Sequence, residues 1–183
     1  MIVLTYDLAT VTGWAVGVSD SGTPPTPLES AAGQTIDYIE SGSTRVAMPG
    51  SSLGVFAMSA ERFFKEHLHR IRPQLVVFES PILRMETKII ILRKLYGLAY
   101  ELEKLCSTYG IRVAEEYNAK FYKHMGVKAR KSKERKAQMM EACRVHGWDP
   151  ADDNEADALG LLHYTLTILN NQKPKEAVAG EGK

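Results

Sequence analysis

Four acidic residues stand where a predicted strand ends or a predicted helix begins. Asp7 and Glu79 each follow a short apolar run, and Asp153 and Asp157 lie four residues apart in a helical pattern. Residues four apart share one face of a helix, so both side chains can point the same way. Carboxylates that converge raise one another's pKa unless a divalent cation holds them ionised. The residue types and their spacing therefore predict a metal site.

The chemistry of this predicted site is that of a hard cation. Ligand sets made only of oxygen atoms favour Mg²⁺ or Mn²⁺ over zinc. Two such ions roughly 4 Å apart can activate a water and stabilise a leaving 3′ oxygen, as phosphodiester hydrolysis requires. The last helix can lie close to the sheet because it carries the small residues Ala156, Ala158 and Gly160. We expect two Mg²⁺ ions, with Mn²⁺ as a substitute, and the candidate ligands are Asp7, Glu79, Asp153, Asn154 and Asp157.

Each acidic residue also has a purely structural interpretation. Asp7 can begin a turn, and Glu79 can cap the segment that follows it. Asp153 can be the N-cap of the last helix, where its side chain would accept a backbone N–H. Asp157 in the first turns of that helix suits the helix dipole. The metal site is the interpretation that accounts for all four residues together.

The elements that position these residues follow from hydrophobic periodicity. Apolar or alternating runs predict strands at residues 2–7, 12–18, 34–39, 75–78 and 111–113. Helical spacing predicts helices at residues 53–71, 87–108, 118–125, 132–146 and 155–170. Three antiparallel strands followed by βα units predict an α/β domain over residues 1–171, with a mixed five-stranded sheet and helices on both faces. The proline-rich residues 19–33 are expected to form a surface loop, and residues 172–183 a disordered tail.

Length and composition are those of one globular domain. The chain has 183 residues, of which 44% are hydrophobic and 25% charged, and its net charge is +1. No apolar stretch is long enough to span a bilayer, and the first strand begins directly after Met1, so we expect a cytoplasmic protein. Cys106 and Cys143 have no CxxC or Cys/His spacing, which indicates free thiols.

A basic segment occupies residues 120–136. It holds eight Lys or Arg residues against Glu134 alone, whereas residues 1–60 carry a net charge of −4. Side chains of this type contact backbone phosphates without reading sequence. A solvated helical face is the alternative interpretation. The candidate DNA contacts are Lys120, Lys123, Lys128, Arg130, Lys131, Lys133, Arg135 and Lys136.

Three motifs lie in order along the chain: Leu4-Thr5-Tyr6-Asp7 with Thr12-Gly13-Trp14-Ala15, then Val76-Val77-Phe78-Glu79, and then Asn154-Glu155-Ala156-Asp157-Ala158-Leu159. Together they resemble the motifs of the RuvC family of Holliday-junction resolvases, in the RNase H-like superfamily. The resemblance runs in order from residue 2 to residue 170. It implies an RNase H-like fold and a Mg²⁺-dependent crossover junction endodeoxyribonuclease, a homodimer that nicks four-way DNA symmetrically. The family's first, second and last acidic positions carry over to Asp7, Glu79 and Asp157.

The third acidic position departs from the family pattern. Asn154 stands three residues before Asp157, where cellular relatives usually have an acid or a histidine. Asp153 lies four residues before Asp157, which is about 40° to the other side of the same helix face. We therefore assign Asp153 as the third ligand and Asn154 as an assisting ligand.

Other positions are assigned through the same resemblance. Lys123 and Lys133 fall nearest the family's catalytically important lysines, and Lys133 is expected to neutralise the scissile phosphate. Ile82 stands where cellular enzymes place an aromatic wedge between bases, which implies a relaxed sequence preference. The short chain and the Asp153–Asn154 arrangement favour a phage-type enzyme, active in a bacterium or a phage-infected cell.

The helix predicted at residues 87–108 has more apolar surface than a helix with one solvated side needs. Its residues 89–92 are consecutive isoleucines and a leucine. The helix is therefore either buried on both sides or part of a partner interface. Two-fold symmetry suits a junction with paired cleavage points, so we predict a homodimer through this helix.

Three other functions are compatible with parts of this sequence. A sugar-kinase or actin-like ATPase also begins with a strand-end aspartate, but it uses a Gly-Thr pair where this chain has Leu8-Ala9-Thr10, and it needs a second domain. A related nuclease that acts on RNA, flaps or branched replication intermediates would have the same catalytic set. A non-catalytic module that binds branched DNA through the basic segment needs no third acid.

Overall fold

The computed structural model describes residues 1–19, 28–29, 35–82 and 88–171. The strands are β1 (Ile2–Asp7), β2 (Val11–Val18), β3 (Leu28–Glu29), β4 (Thr35–Arg45), β5 (Leu75–Glu79) and β6 (Arg112–Glu116). The helices are α1 (Leu53–Ile71), α2 (Ile89–Thr108), α3 (Asn118–His124), α4 (Ser132–Val145) and α5 (Asp153–Asn171). Most of the predicted proline-rich loop, residues 83–87 and the predicted tail at 172–183 lie outside the described residues. Within the described ranges, no helix combines the length and the apolar character that a membrane span requires.

The six strands form one mixed sheet in the order β3-β4-β2-β1-β5-β6. The pairs β3–β4, β4–β2 and β2–β1 are antiparallel, whereas the pairs β1–β5 and β5–β6 are parallel. All five predicted strands are present, so the predicted α/β class and mixed topology are confirmed. The sequence did not predict β3, a two-residue strand inside the expected loop, or the full length of β4. Residues 40–45 lack alternation, and it is pairing with β2 that extends β4 as far as Arg45, opposite Val11.

Side chains along β1 alternate between the two faces of the sheet. Leu4 and Tyr6 pack with residues of α1 and α2 in one core. Val3 packs with residues of α3, α4 and α5 in the other core. Thr5 is on the same face as Val3 and donates its hydroxyl to the carbonyl of Ala158 in α5 at 2.8 Å. Helices therefore cover both faces, as predicted.

The first turn of α5 lies directly against β2. A Cβ atom on Gly13 would be 1.9 Å from the carbonyl oxygen of Asn154, so this position has room only for glycine. Ala158 is fully buried, in agreement with the predicted close approach to the sheet. Gly160 is small for another reason, because a Cβ on it would lie 2.8 Å from the sulfur of Met139 in α4. Gly160 thus permits the contact between α4 and α5.

Three histidine rings join the helices on this face. Nε2 of His124, at the end of α3, lies 2.7 Å from Nδ1 of His163 in α5. The ring of His146, just past α4, is centred 4.4 Å from that of His163. Burial lowers the pKa of all three side chains, that of His163 to about 3, so the rings are neutral at pH 7. The uncharged cluster helps to fix α3 and α4 against α5.

Candidate active site

The carboxyl ends of β1 and β5 place Asp7 beside Glu79. The two strands are parallel and Tyr6 pairs with Phe78, so the residue that follows each of them lies at the same edge of the sheet. Val77 packs in the core under α5, and Glu79, two residues later in the strand, lies on the same face of the sheet. The predicted adjacency of these two strand ends is confirmed.

Asp157 of α5 is the third carboxylate at this edge. It is buried, and Tyr122 of α3 donates its hydroxyl to Asp157 Oδ2 at 3.0 Å. Its other oxygen, Oδ1, has no hydrogen-bond partner among the residues that the structure describes. Burial, and then the charge of Glu79, raises the pKa of Asp157 to about 7, and the bond from Tyr122 opposes this change. A buried carboxylate oxygen without a donor is an atom that a bound cation would satisfy.

The pKa of Asp7 is raised, like that of Asp157. Burial raises its pKa well above the usual range, and the charges of Glu79 and Asp157 raise it further. The ammonium of Lys136 in α4 acts in the opposite direction. The three carboxylates are therefore close enough to repel one another, and a divalent cation between them would reverse the effect.

One cleft contains all three carboxylates. It has a volume of about 240 Å³, and the side chains that line it from α3 and α4 are Asn118, Tyr122, Ser132, Arg135 and Lys136. An adjoining cleft of about 530 Å³ shares Asp7, Glu79 and Asn118. Its walls continue along Ile82, Ile91 and Leu95, so the acidic edge opens onto an apolar surface.

The structure separates the roles of Asp153 and Asn154. Asp152 is the N-cap of α5, because its Oδ1 accepts the N–H of Glu155 at 2.9 Å; the capping alternative for Asp153 is therefore wrong. Asp153 pairs with Lys136 and does not line the cleft, whereas Asn154 does line it. The choice of Asp153 as third ligand and Asn154 as assisting ligand stays a prediction, and the geometry places Asn154 nearer the cleft.

The donor atoms that line the cleft are of the chemical type that a hard divalent cation prefers. They are carboxylate and amide oxygens, which Mg²⁺ and Mn²⁺ prefer, and they include the unpartnered Oδ1 of Asp157. In the described part of the chain, no three His, Cys, Asp or Glu side chains form a group that could hold an ion by themselves. Mg²⁺ usually binds through one or two carboxylates and completes its coordination with waters and substrate phosphate oxygens.

The predicted DNA contacts fall into two groups. Arg135 and Lys136 line the cleft, and the guanidinium carbon of Arg135 lies 5.4 Å from the centre of the Tyr122 ring. Lys133, the predicted partner of the scissile phosphate, is exposed and does not line the cleft. The other exposed basic residues outside it are Lys120, Lys123, Lys128, Arg130 and Lys131. The lysine beside the carboxylates is therefore Lys136, which the sequence had marked only as a DNA contact.

Sequence reasoning missed two side chains that bond to the carboxylates. Asn118 donates its amide to Glu79 Oε1 at 2.8 Å, and Tyr122 bonds to Asp157. Burial and the neighbouring carboxylates raise the pKa of Tyr122, so its hydroxyl stays protonated and donates. Asn118 comes just after β6, as Glu79 closes the neighbouring parallel strand. The position of Asn118 after a strand that is parallel to β5 could have pointed to this site from the sequence. Tyr122 follows one helical turn later, on the same side of the helix.

No protein-family model matches the sequence, and no curated protein matches it. Among solved structures, Thermus thermophilus RuvC aligns with a TM-score of 0.68 at 16% identity, over 93% of this chain and 97% of that one. The chain has the RuvC fold.

Two other solved structures share the RuvC fold with this chain. Thermus thermophilus RuvC in complex with a Holliday junction substrate aligns with a TM-score of 0.66 at 14% identity, over 92% of this chain and 96% of that one. The yeast mitochondrial Holliday junction resolvase Ydc2 aligns with a TM-score of 0.61 at 11% identity, over 92% and 81%. The carboxylate cleft occupies the carboxyl ends of the parallel strands in this RuvC fold, where open α/β sheets generally bind ligands.

Proposed function

We propose that this protein is a metal-dependent endonuclease that resolves Holliday junctions and other branched DNA by paired, symmetric nicks. The observation that carries the proposal is the convergence of Asp7, Glu79 and Asp157, from three separate elements, on a cleft that Arg135 and Lys136 also line. The RuvC fold supports it, because the solved proteins with this fold include one in complex with a Holliday junction substrate.

The proposed cofactor is a pair of Mg²⁺ ions, for which Mn²⁺ would substitute. Asp7, Glu79 and Asp157 would hold them, assisted by Asn154 or by Asp153 after it separates from Lys136. Such ions, when bound, supply Lewis-acid stabilisation of the attacking and leaving oxygens in an in-line displacement.

Basic side chains of α4 are proposed to hold the scissile phosphate. The charge of Lys136 lowers the pKa of both Asp7 and Asp157, so its ammonium lies within electrostatic reach of the reaction centre. Arg135 adds a planar set of donors that suits phosphate oxygens. Lys133 is the other candidate for this role. Lys136→Ala and Lys133→Ala separate the two, since loss of the lysine that acts only in the transition state lowers kcat, whereas loss of a ground-state contact raises KM.

The rest of the basic segment is proposed to contact the flanking DNA backbone. Its exposed side chains lie in the stretch from Lys120 to Lys133, next to the cleft-lining part of α4. Binding through such contacts falls steeply with salt concentration. Ile82, which is 42% exposed in the adjoining cleft, is proposed to be the residue that wedges between bases at the junction.

A homodimer through α2 is part of the proposal. Ile89, Tyr96 and Tyr100 share one face of this helix, and their exposed fractions in the single chain are 69%, 48% and 69%. Exposed apolar rows of this kind mark interfaces, and a two-fold axis would supply one active site for each nick. Sedimentation equilibrium is expected to show a concentration-dependent dimer, and a monomer at every concentration would refute this part.

The experiment that tests the function is cleavage of an end-labelled synthetic four-way junction. Linear duplex, a flap and an RNA–DNA hybrid are incubated in parallel, each with Mg²⁺, Mn²⁺ or EDTA. We expect metal-dependent nicks confined to the junction and placed symmetrically on opposing strands.

Three other results would each contradict a different part of the proposal. Cleavage of flaps or hybrids in preference to junctions would retain the active site and change the substrate. Binding without cleavage in any metal would indicate a branched-DNA-binding protein. Cleavage in EDTA would exclude the metal assignment.

A further inference from the structure

The short helix α3 bonds to two of the three carboxylates. Asn118, its first residue, donates to Glu79 Oε1 at 2.8 Å. Tyr122, one helical turn later, donates to Asp157 Oδ2 at 3.0 Å. Residues four apart lie on one side of a helix, so a single face of α3 reaches a carboxylate from β5 and a carboxylate from α5.

We propose that Asn118 and Tyr122 are positioning residues that fix the separation and orientation of Glu79 and Asp157 for cation binding. This inference rests on the proposed metal-dependent function. Each donor occupies one oxygen of its carboxylate and thereby restricts rotation of the whole group. The second oxygen of Asp157 is left without a partner among the described residues, as a metal ligand would need to be.

The surroundings of α3 make it a rigid support. Phe121 is completely buried beside Tyr122 in the core under α5. The N–H of Val127 bonds to the carbonyl of Tyr122 at 2.9 Å, which closes the helix at its end. His124 contacts His163 of α5. A helix held through its middle and its C-terminal end in this way keeps its donors in place when the carboxylates change their charge or ligands.

The chemistry of the two donors also suits a cation site. A lysine or arginine in place of either would satisfy the carboxylate but would repel an incoming cation. An amide and a phenol are neutral, so they orient the carboxylates and leave the negative charge of the cleft available. Hydrogen bonds from outer groups to metal ligands typically account for about 10–100-fold in metal affinity or activity.

The test compares Asn118→Ala and Tyr122→Phe with the wild-type protein and with Tyr164→Phe. Tyr164 is a matched control, because its hydroxyl donates to the carboxylate of Glu116 at 3.5 Å but does not line the carboxylate cleft. Mn²⁺ binding is measured without DNA by the electron paramagnetic resonance of the free ion. The Mg²⁺ concentration for half-maximal junction cleavage and the junction affinity in EDTA are measured on the same preparations.

We expect each site variant to bind Mn²⁺ about 10-fold or more weakly and to need correspondingly more Mg²⁺, with rescue at high Mg²⁺ and unchanged junction affinity in EDTA. Tyr164→Phe should behave as wild type. Wild-type Mn²⁺ affinity in both site variants would overturn the inference, and so would an equal loss in Tyr164→Phe. If the wild-type protein binds Mn²⁺ but cuts no junction, the proposed function fails while the Mn²⁺ titrations still decide the role of α3.

Discussion

The close contact between Gly13 and α5 allows the effect of Gly13→Ala on stability and on kcat to be predicted quantitatively. The added Cβ would lie 1.9 Å from the carbonyl oxygen of Asn154 and 2.2 Å from its carbonyl carbon. Real Cβ atoms essentially never come within 3.0 Å of such an atom. The clashing atoms belong to the backbone, so no side chain can rotate to relieve the clash. Helix α5 and strand β2 must therefore separate by about 1 Å or more, as happens in overpacked cores.

This displacement should reduce both stability and activity. Overpacking of a well-packed core typically costs about 1–3 kcal/mol in free energy of unfolding. The same movement carries Asp157 away from Asp7 and Glu79, since Asp157 lies on α5 only three residues beyond Asn154. Misplacement of a reacting group by about 1 Å can lower a rate about 100-fold. We expect Gly13→Ala to fold, to unfold at lower urea concentration, and to retain about 1% of the wild-type kcat.

The assay combines urea unfolding in EDTA with junction cleavage at a temperature where both proteins are folded. Gly54→Ala is the control, because a Cβ on Gly54 would meet no heavy atom within 4 Å. Gly54 is a helical position in the first turn of α1, so Gly54→Ala should be as stable as wild type or more stable by up to about 1 kcal/mol. A Gly13→Ala protein with wild-type stability and wild-type kcat would refute the close approach of α5.

Asp7→Asn should abolish cleavage and preserve junction binding in EDTA, since it removes a metal ligand and no phosphate contact; residual activity close to wild type would exclude Asp7 as a ligand. Joint replacement of Lys131 and Lys133 by Ala should weaken junction binding and reduce the slope of log affinity against log salt by about 2. An unchanged slope would place the DNA surface elsewhere. Asp157→Asn should raise stability in EDTA near pH 8, because the pKa of Asp157 is about 7 when folded against an ordinary value of 3.8. The folded wild type therefore loses up to about 4 kcal/mol of stability as the pH rises through that interval. Thermal unfolding of both proteins from pH 4 to pH 8 should show that the stability of the variant depends less on pH. Equal pH dependence of stability in the two proteins would contradict the burial of this charge.

The positions of Asp7 and Glu79 could be predicted because the apolar runs that precede them define buried parallel strands. The register of such strands brings their ends together without further information. The length of β4 could not be predicted in the same way. Residues 40–45 have no alternation, and only pairing with β2 makes them a strand.

The rotation of α4 and the capping of α5 depend on contacts that a linear sequence does not display. Met139 and Cys143 are fully buried, and they turn the face of α4 that contains Lys136 towards the carboxylates. Lys133 is left outside the cleft for the same reason. Asp152 is held by the hydroxyl of Ser43 in β4 at 2.6 Å, a contact between residues more than 100 positions apart. That contact ties the capped start of α5 to β4.

The candidate site joins the beginning of the chain to its last described helix, and this has a consequence during synthesis. Asp7 and Glu79 meet when β1 pairs with β5, but the face they share is uncovered until α5 docks on it. Chains are made from the N-terminus, and domains fold as units once their elements are available. A growing chain therefore contains the basic segment before it contains the complete set of carboxylates. A nuclease built in this order would stay inactive on the ribosome until α5 has been released.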